Sequence, residues 1–167
     1  MISEAKNVLE AVVQSVGVTH IARTALAEKK LLNNRQIPCV GLITNPGDFD
    51  DRQAKQARYF DEEAGIWRQR YIRGKRRVPI LVRVWAADEA AADDILSQII
   101  PNIPRSWELD DLGGEITIGT EEHSDYASNV ASLYLSVVEV EMAVEVAAAP
   151  VDIPTAESTE ITGTEYA

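Results

Sequence analysis

The sequence has little of the residues that most often carry catalysis or bind metals, with one cysteine and two histidines among 167 residues. Cys39 has no partner within the chain, which excludes an intramolecular disulfide and a thiolate-rich zinc site. His20 and His123 are far apart in the sequence, so they lack the spacing that places two metal ligands on one face of a helix. We therefore predict no metal, no cofactor and no enzymatic activity. Cys39 is expected to be a buried, inactive thiol.

Long hydrophobic runs are missing as well. The longest apolar stretches, such as residues 78–84, are interrupted by charge well before the ~20 residues that a membrane span requires. The N-terminus has an early Glu4 and no continuous apolar segment, so we expect no secretory signal and no membrane association. A lone cysteine fits a reducing compartment. With 46% hydrophobic residues, the chain has enough apolar side chains for one core.

Basic residues are nearly absent from the second half of the chain. Residues 1–83 carry 15 Lys or Arg and 9 Asp or Glu, whereas residues 84–167 carry Arg105 alone and 18 acids. This partition allows a basic surface of one molecule to meet an acidic surface of another, as head-to-tail rings and stacks require. The alternative is that folding mixes the two charges over a single surface.

Hydrophobic periodicity predicts at least two helices. Apolar side chains recur at steps of three and four over residues 3–16, with Ser3 as a possible N-cap. The pattern weakens over residues 17–36 and allows a short second helix. A further helix is predicted over residues 88–100, where Asp88 provides the cap and an alanine-rich, acidic sequence follows.

The middle of the chain predicts strands and a loop. Residues 37–44 are rich in β-formers, and residues 48–65 are polar, which predicts a long loop with one helical turn. Residues 66–73 and 78–86 predict two strands joined by the turn Gly74-Lys75-Arg76-Arg77, a basic β-hairpin whose second strand is central in the sheet.

The C-terminal region predicts one long strand and a tail. Over residues 131–147 apolar side chains alternate along one face, while the other face turns acidic from Glu139 onward. Residues 148–167 have no Lys or Arg and predict a flexible tail. The fold expected for residues 1–147 is a single α+β domain. It has a mixed or antiparallel sheet with the basic hairpin and the long C-terminal strand, packed against two or more helices.

Motifs for known chemistry are incomplete. Residues 48–51 begin like a calcium loop but continue with Arg52 and lack the glycine at the sixth position. Gly113 and Gly114 lack the Lys-Ser/Thr that follows a phosphate-binding loop. An enzyme would require a pocket that brings together two of the three side chains His20, Cys39 and His123.

The predicted hairpin concentrates six of the sixteen basic residues and interleaves them with Trp67 and Tyr71. Its candidate binding residues are Arg68, Arg70, Arg73, Lys75, Arg76 and Arg77. Three interpretations follow. The hairpin docks on an acidic surface of another subunit, since Arg pairs well with carboxylates. It binds nucleic acid through phosphate contacts and stacking. Or it is a solvated hairpin that only protects a sheet edge.

The order of these elements resembles that of the tail terminator (tail completion) proteins of long-tailed bacteriophages. The similarity covers residues 1–147 in element order and specific residues only around 66–100 and 131–146. It is clearest where an apolar strand precedes an acidic, alanine-rich helix, in Arg77-Val78-Pro79-Ile80-Leu81-Val82-Arg83-Val84-Trp85 and in Ala87-Asp88-Glu89-Ala90-Ala91-Ala92-Asp93-Asp94-Ile95-Leu96. The acidic last strand and the tail after Pro150 depart from the family pattern.

The resemblance implies a structural subunit of a hexameric ring. Such a ring sits on the last ring of the tail tube, ends its polymerisation and offers a docking surface to the neck or head connector. The implied partners are copies of the chain itself, the tail tube protein, the neck or head–tail connector proteins and, in a contractile tail, the sheath. Genomic DNA only passes through the lumen. The implied location is the tail or neck of the virion, after assembly in the host bacterial cytoplasm.

In this interpretation the six basic residues contact an acidic neighbour, and Glu139, Glu141 and Glu145 are candidate acceptors. Two alternatives stay open. One is another neck or head-completion connector. The other is a nucleic-acid-binding module that uses residues 66–86, whose salt-sensitive DNA binding the double substitution Arg73→Glu and Arg76→Glu would abolish.

Overall fold

A computed structural model of the chain describes residues 1–51, 55–109, 112–127, 132–149 and 151–152. These residues contain three helices and nine strands. The strands form one mixed sheet with helices on both of its faces, so the predicted α+β class is confirmed. The elements, in chain order, are α1 (Ile2–Ser15), β1 (His20–Ala22), α2 (Ala25–Asn33), β2 (Cys39–Thr44), β3 (Asp48–Asp50), β4 (Lys55–Asp61), β5 (Ile66–Ala86), α3 (Glu89–Asn102), β6 (Ser106–Leu109), β7 (Leu112–Ala127), β8 (Ser132–Ala147) and β9 (Val151–Asp152).

The 21-residue strand β5 organises the sheet. Along one edge it pairs in succession with β2, β3 and β4, and along the other edge with β8 and then β9. Strands β7 and β6 continue the sheet beyond β8, and β1 lies beyond β2. At ~3.3 Å per residue a straight strand of this length spans roughly 70 Å, more than the ~40 Å diameter of a compact domain of this size. One end of β5 therefore extends past the core.

The main core lies between the sheet and the helices α1 and α3. Alternate residues of β2, β5 and β8 are fully buried there, as the alternation over residues 131–147 predicts. Leu9 and Val13 of α1 and Leu96 and Ile99 of α3 pack onto them. Asp88 caps α3, as predicted, by accepting a hydrogen bond from the Ala91 amide at 2.9 Å. The N-cap of α1 is Met1, not Ser3.

Helix α2 covers the opposite face of the sheet near the end of β5. The buried Glu28 carboxylate accepts a hydrogen bond from the Trp85 indole at 2.7 Å and lies 3.2 Å from the Arg83 guanidinium. A Cβ on Gly41 would lie 2.3 Å from Glu28 Oε1, so glycine at this position leaves room for the Glu28 carboxylate. Residues 21–22, predicted as part of this helix, lie in β1.

The turn predicted at residues 74–77 is wrong, because these residues are part of strand β5. Gly74 allows the backbone of the neighbouring strand β3 to approach closely, because a Cβ at this position would lie 2.0 Å from the Asp50 carbonyl oxygen. The hairpin in this region is formed instead by β4 and the beginning of β5, with Gly65 at φ +67° in the connection.

The long loop predicted at residues 48–65 is also wrong, since most of it forms β3 and β4 against β5. The long C-terminal strand is confirmed as β8, whose last residue Ala147 pairs with Ile72. Of the predicted tail, Val151–Asp152 forms a short strand on β5, and residues 153–167 lie outside the described part of the chain.

Candidate assembly surface

The part of the sheet around the first half of β5 forms an arm, which we define as β3, β4, β9 and residues 66–77. Pairing register places Phe60 opposite Trp67 and Gln56 opposite Tyr71, so these side chains share one face. The Phe60 and Trp67 rings meet edge to face with centroids 5.5 Å apart. Val151, opposite Gln69, lies on the same face. The side chains of Phe60, Trp67, Tyr71 and Val151 are 47–58% exposed, and an exposed apolar cluster of this kind is a candidate interaction surface.

This face continues past an irregularity in β5. Ile72 lies opposite Ala147 and Lys75 lies opposite Glu145, so Ile72 and Lys75 point to one side although they are three residues apart. Tyr71 and Arg76 consequently point to the other side. Phe49, opposite Arg76, extends the same face and is also half exposed.

Basic side chains accompany the aromatic rings. Arg58 and Arg76 are exposed on this face, and Arg73 is exposed at the irregularity itself. Among the described residues these three make no ion pair and no side-chain hydrogen bond. We call this surface the aromatic face, and it comprises Phe49, Arg58, Phe60, Trp67, Tyr71, Arg76 and Val151.

The described basic side chains on the opposite face of the arm have partners within the chain. Arg68 lies 2.8 Å from Asp61 and 3.2 Å from Asp152. The guanidinium of Arg70 stacks 5.2 Å from the centre of the Tyr59 ring.

Two more cations of the arm lie near carboxylates on neighbouring strands. Lys75 lies 3.2 Å from Glu115, and Arg77 lies 3.9 Å from each of Asp48, Asp50 and Glu141. The segment that begins like a calcium loop thus supplies strand residues whose acids face Arg77.

The structure divides the predicted binding residues into two groups. All six basic residues lie in the arm, but only Arg73 and Arg76 are exposed without a partner in the described part of the chain. The acidic candidates lie on β8 opposite the same strand: Glu139 opposite Leu81, Glu141 opposite Pro79, and Glu145 opposite Lys75. Their contact with a neighbouring subunit stays a prediction.

The other end of β5 leads into an acidic groove. After Ala86 the chain reaches Asp88 and α3, and a groove of about 630 Å³ opens beside the first turns of the helix. Glu89 and Asp93 are exposed and have no cationic partner among the described residues. The acidic groove is lined by Asp88, Glu89, Ala90, Asp93, His123 and Tyr134.

His123 joins this groove to a buried serine. Its Nδ1 lies 2.9 Å from the Ser136 hydroxyl oxygen and its Nε2 lies 3.7 Å from Glu121. Ser136, His123 and Glu121 thus contact one another in series, and a serine, a histidine and an acid in such a series are also the elements of a catalytic triad. Ser136, however, is 0% exposed, so its oxygen is out of reach of a substrate and serves as a hydrogen-bond partner of the imidazole.

Cys39 is fully buried, as predicted, and burial together with the nearby Glu28 carboxylate raises the pKa of its thiol to about 12. We expect a thiol reagent such as DTNB at pH 8 to label the native protein at a rate limited by unfolding, and to label it at once in urea. Rapid stoichiometric labelling of the native protein would contradict this assignment.

Within the described residues, His, Cys, Asp and Glu side chains form no group of three or more that could hold a metal ion. In the same part of the chain none of the helices has the length and hydrophobicity needed to cross a membrane. No protein-family model matches the sequence, and no curated protein matches it.

Trp67 and Tyr71 can be recognised from the sequence, but three features of the surface cannot. Phe49 and Arg58 belong to the segment for which a loop is predicted, and in a loop the alternation of residues does not indicate which side chains share a face. The acidic groove brings residues 88–93 beside His123 and Tyr134, and only the pairing of β7 with β8 shows this proximity.

Proposed function

We propose that this chain is a structural subunit that assembles head to tail with copies of itself. The observation that carries this proposal is the difference between the two ends of β5. The aromatic face lies at one end, with arginines that have no partner among the described residues, and the acidic groove lies at the other. A long strand separates these surfaces. Two different patches on one subunit generate heterologous contacts, which close into a ring or extend into a filament.

Within this class, we propose a tail terminator of a long-tailed bacteriophage. Such a ring caps the tail tube, ends its polymerisation and provides the docking surface for the neck or head connector. The resemblance of residues 66–100 and 131–146 supports this assignment, together with the α+β fold of the domain. Another connector of the phage neck or head would use the same kind of contact and is the nearest alternative.

The proposed surroundings of the ring follow from the same assignment. The tube protein lies on one side, the connector proteins on the other, and the sheath outside where the tail is contractile. The ring is assembled in the bacterial cytoplasm and remains in the tail or neck of the finished virion. A net charge of −11 favours a lumen through which DNA passes without being held, because phosphates find few unpaired cations there.

A nucleic-acid-binding module is the second candidate. Exposed aromatic rings beside free arginines are the combination that single-stranded nucleic acid binding uses. The aromatic face offers Trp67 and Tyr71 for stacking and Arg58 and Arg76 for phosphates. The acidic character of the whole chain opposes this function, since the remaining field repels a polyanion.

Electron microscopy of the negatively stained protein at low salt tests the proposal. We expect closed rings with a central channel. In parallel, fluorescence anisotropy with a labelled single-stranded oligonucleotide measures DNA binding, and we expect none that survives physiological salt. Monomers that bind the oligonucleotide, and lose it on substitution of Arg73→Glu with Arg76→Glu, would replace this proposal with the nucleic-acid-binding module.

A further inference from the structure

We infer that the aromatic face of one copy docks in the acidic groove of a second copy, and that this contact is the head-to-tail interface. The inference rests on the proposed self-assembly and adds to it the identity of both contact surfaces.

The aromatic face holds most of the large hydrophobic side chains that are exposed among the described residues. It contributes five of the eight large hydrophobic side chains that are exposed there, namely Phe49, Phe60, Trp67, Tyr71 and Val151. The rings of Trp and Tyr, beside Arg, are the side chains that dominate the energetics of protein interfaces. An exposed cluster of this composition is therefore suited to be the centre of an interface.

The charges on this face select an acidic partner. Arg58 and Arg76 retain all their hydrogen-bond donors for a second molecule, because within the described residues no carboxylate contacts them. On the opposite face of the arm Arg68, Lys75 and Arg77 already contact carboxylates of the same chain. Docking through that face would break these ion pairs, whereas docking through the aromatic face creates new ones.

Among the acidic surfaces of this chain, the groove matches best. Glu115, Glu141 and Asp152 already have cationic partners in the arm. Glu89 and Asp93 are exposed and unpaired in the described residues, and they flank Ala90 and Tyr134, which give the groove apolar surface. The groove has a volume of about 630 Å³ and is open to solvent, so side chains of a second molecule have access to its acidic lining.

The positions of the two surfaces explain why the partner is a second copy. The arm contains the first residue of β5, and the groove follows the last one. A contact between them within one molecule would require the sheet to fold back on itself. Between two molecules it joins the start of one strand to the end of another and leaves a free surface at each end for the next subunit.

A charge-swap experiment with the full chain tests the contact by light scattering. One variant carries Arg58→Glu and Arg76→Glu, and the other carries Glu89→Lys and Asp93→Lys. Each variant alone brings like charges together, so we expect its association to weaken at least tenfold. An equimolar mixture restores complementary charges at both kinds of contact and is expected to assemble again. The matched control, Lys29→Glu with Lys30→Glu on the exposed surface of α2, should assemble like the wild type.

The outcomes separate this inference from the proposed function. Rings that form normally with either charge-reversed variant, or a mixture of the two that stays monomeric, would overturn the arm-to-groove contact and leave ring formation standing. A wild-type chain that is monomeric under all conditions would overturn the proposed function itself. All substituted side chains are exposed, so we expect every variant to fold. Far-ultraviolet circular dichroism checks this for each variant.

Discussion

Replacing Glu28 with alanine is expected to lower the free energy of unfolding by about 2–4 kcal/mol. The Glu28 side chain is only 6% exposed, and it holds both the Trp85 indole N–H at 2.7 Å and the Arg83 guanidinium at 3.2 Å. Arg83 also stacks 5.4 Å from the Trp85 ring. Removal of the carboxylate leaves a buried donor and a partly buried cation without their acceptor, which costs more than the loss of the attraction alone.

The matched control for this prediction is Glu10→Ala. Glu10 lies 3.6 Å from Arg23 in a more exposed ion pair, for which a loss below about 1 kcal/mol is expected. Urea denaturation of both variants measures the difference. If Glu28→Ala were no less stable than Glu10→Ala, the buried cluster beneath α2 would not contribute as described.

The substitution Gly74→Ala is expected to cost about 1–3 kcal/mol and to detach β3 from β5. The new Cβ would lie 2.0 Å from the Asp50 carbonyl oxygen and 3.0 Å from the Asp51 Cα. Both are backbone atoms, so no side-chain rotation relieves the contact. Because β3 carries Phe49 of the aromatic face, we expect assembly to weaken together with stability.

Gly113→Ala is the control for this substitution, since a Cβ at Gly113 meets no atom within 4 Å. We expect its stability to stay within ~0.5 kcal/mol of the wild type. Hydrogen exchange over Asp48–Asp50 reports the detachment directly and should accelerate only in the Gly74 variant. Unchanged exchange there would mean that β3 tolerates the added methyl group and that the close approach is unimportant.

The sequence allowed the core layer to be predicted because its signals are local. Asp88 precedes an alanine-rich helix and caps it. The side chains of Val138, Val140 and Met142 alternate with less buried neighbours along β8 and fill the core. These patterns depend on helix and strand geometry alone, so no knowledge of distant partners is required.

Within the arm, the strand at residues 66–73 could be predicted, but its continuation through residues 74–77 and the pairing with β3 and β4 could not, because their signals lie on other strands. Gly74 followed by Lys75, Arg76 and Arg77 is typical of an exposed turn when only neighbouring residues are considered. In the structure Gly74 accommodates the backbone of Asp50, and carboxylates from β3, β7 and β8 balance Lys75 and Arg77. Residues 72–77 contain four cations and no alternation of apolar with polar side chains, so the segment has no strand signal of its own.

The candidate site was predicted in part for the same reason. The aromatic residues Trp67 and Tyr71 could be recognised from the sequence. Whether they share a face with Arg58 depends on the register between β4 and β5. The acidic groove depends on β7 and β8 bringing His123 and Tyr134 beside α3. Register over such separations is set by the whole sheet, and a single sequence does not specify it.

Assembly through oppositely charged ends makes the size of the particle depend on salt, and size exclusion with light scattering measures that size. At low salt we predict a hexamer-sized particle. At about 1 M salt, where the screening length falls to ~3 Å, we predict dissociation toward the 18.4-kDa chain. An 18.4-kDa species at every salt and protein concentration would rule out assembly through these ends.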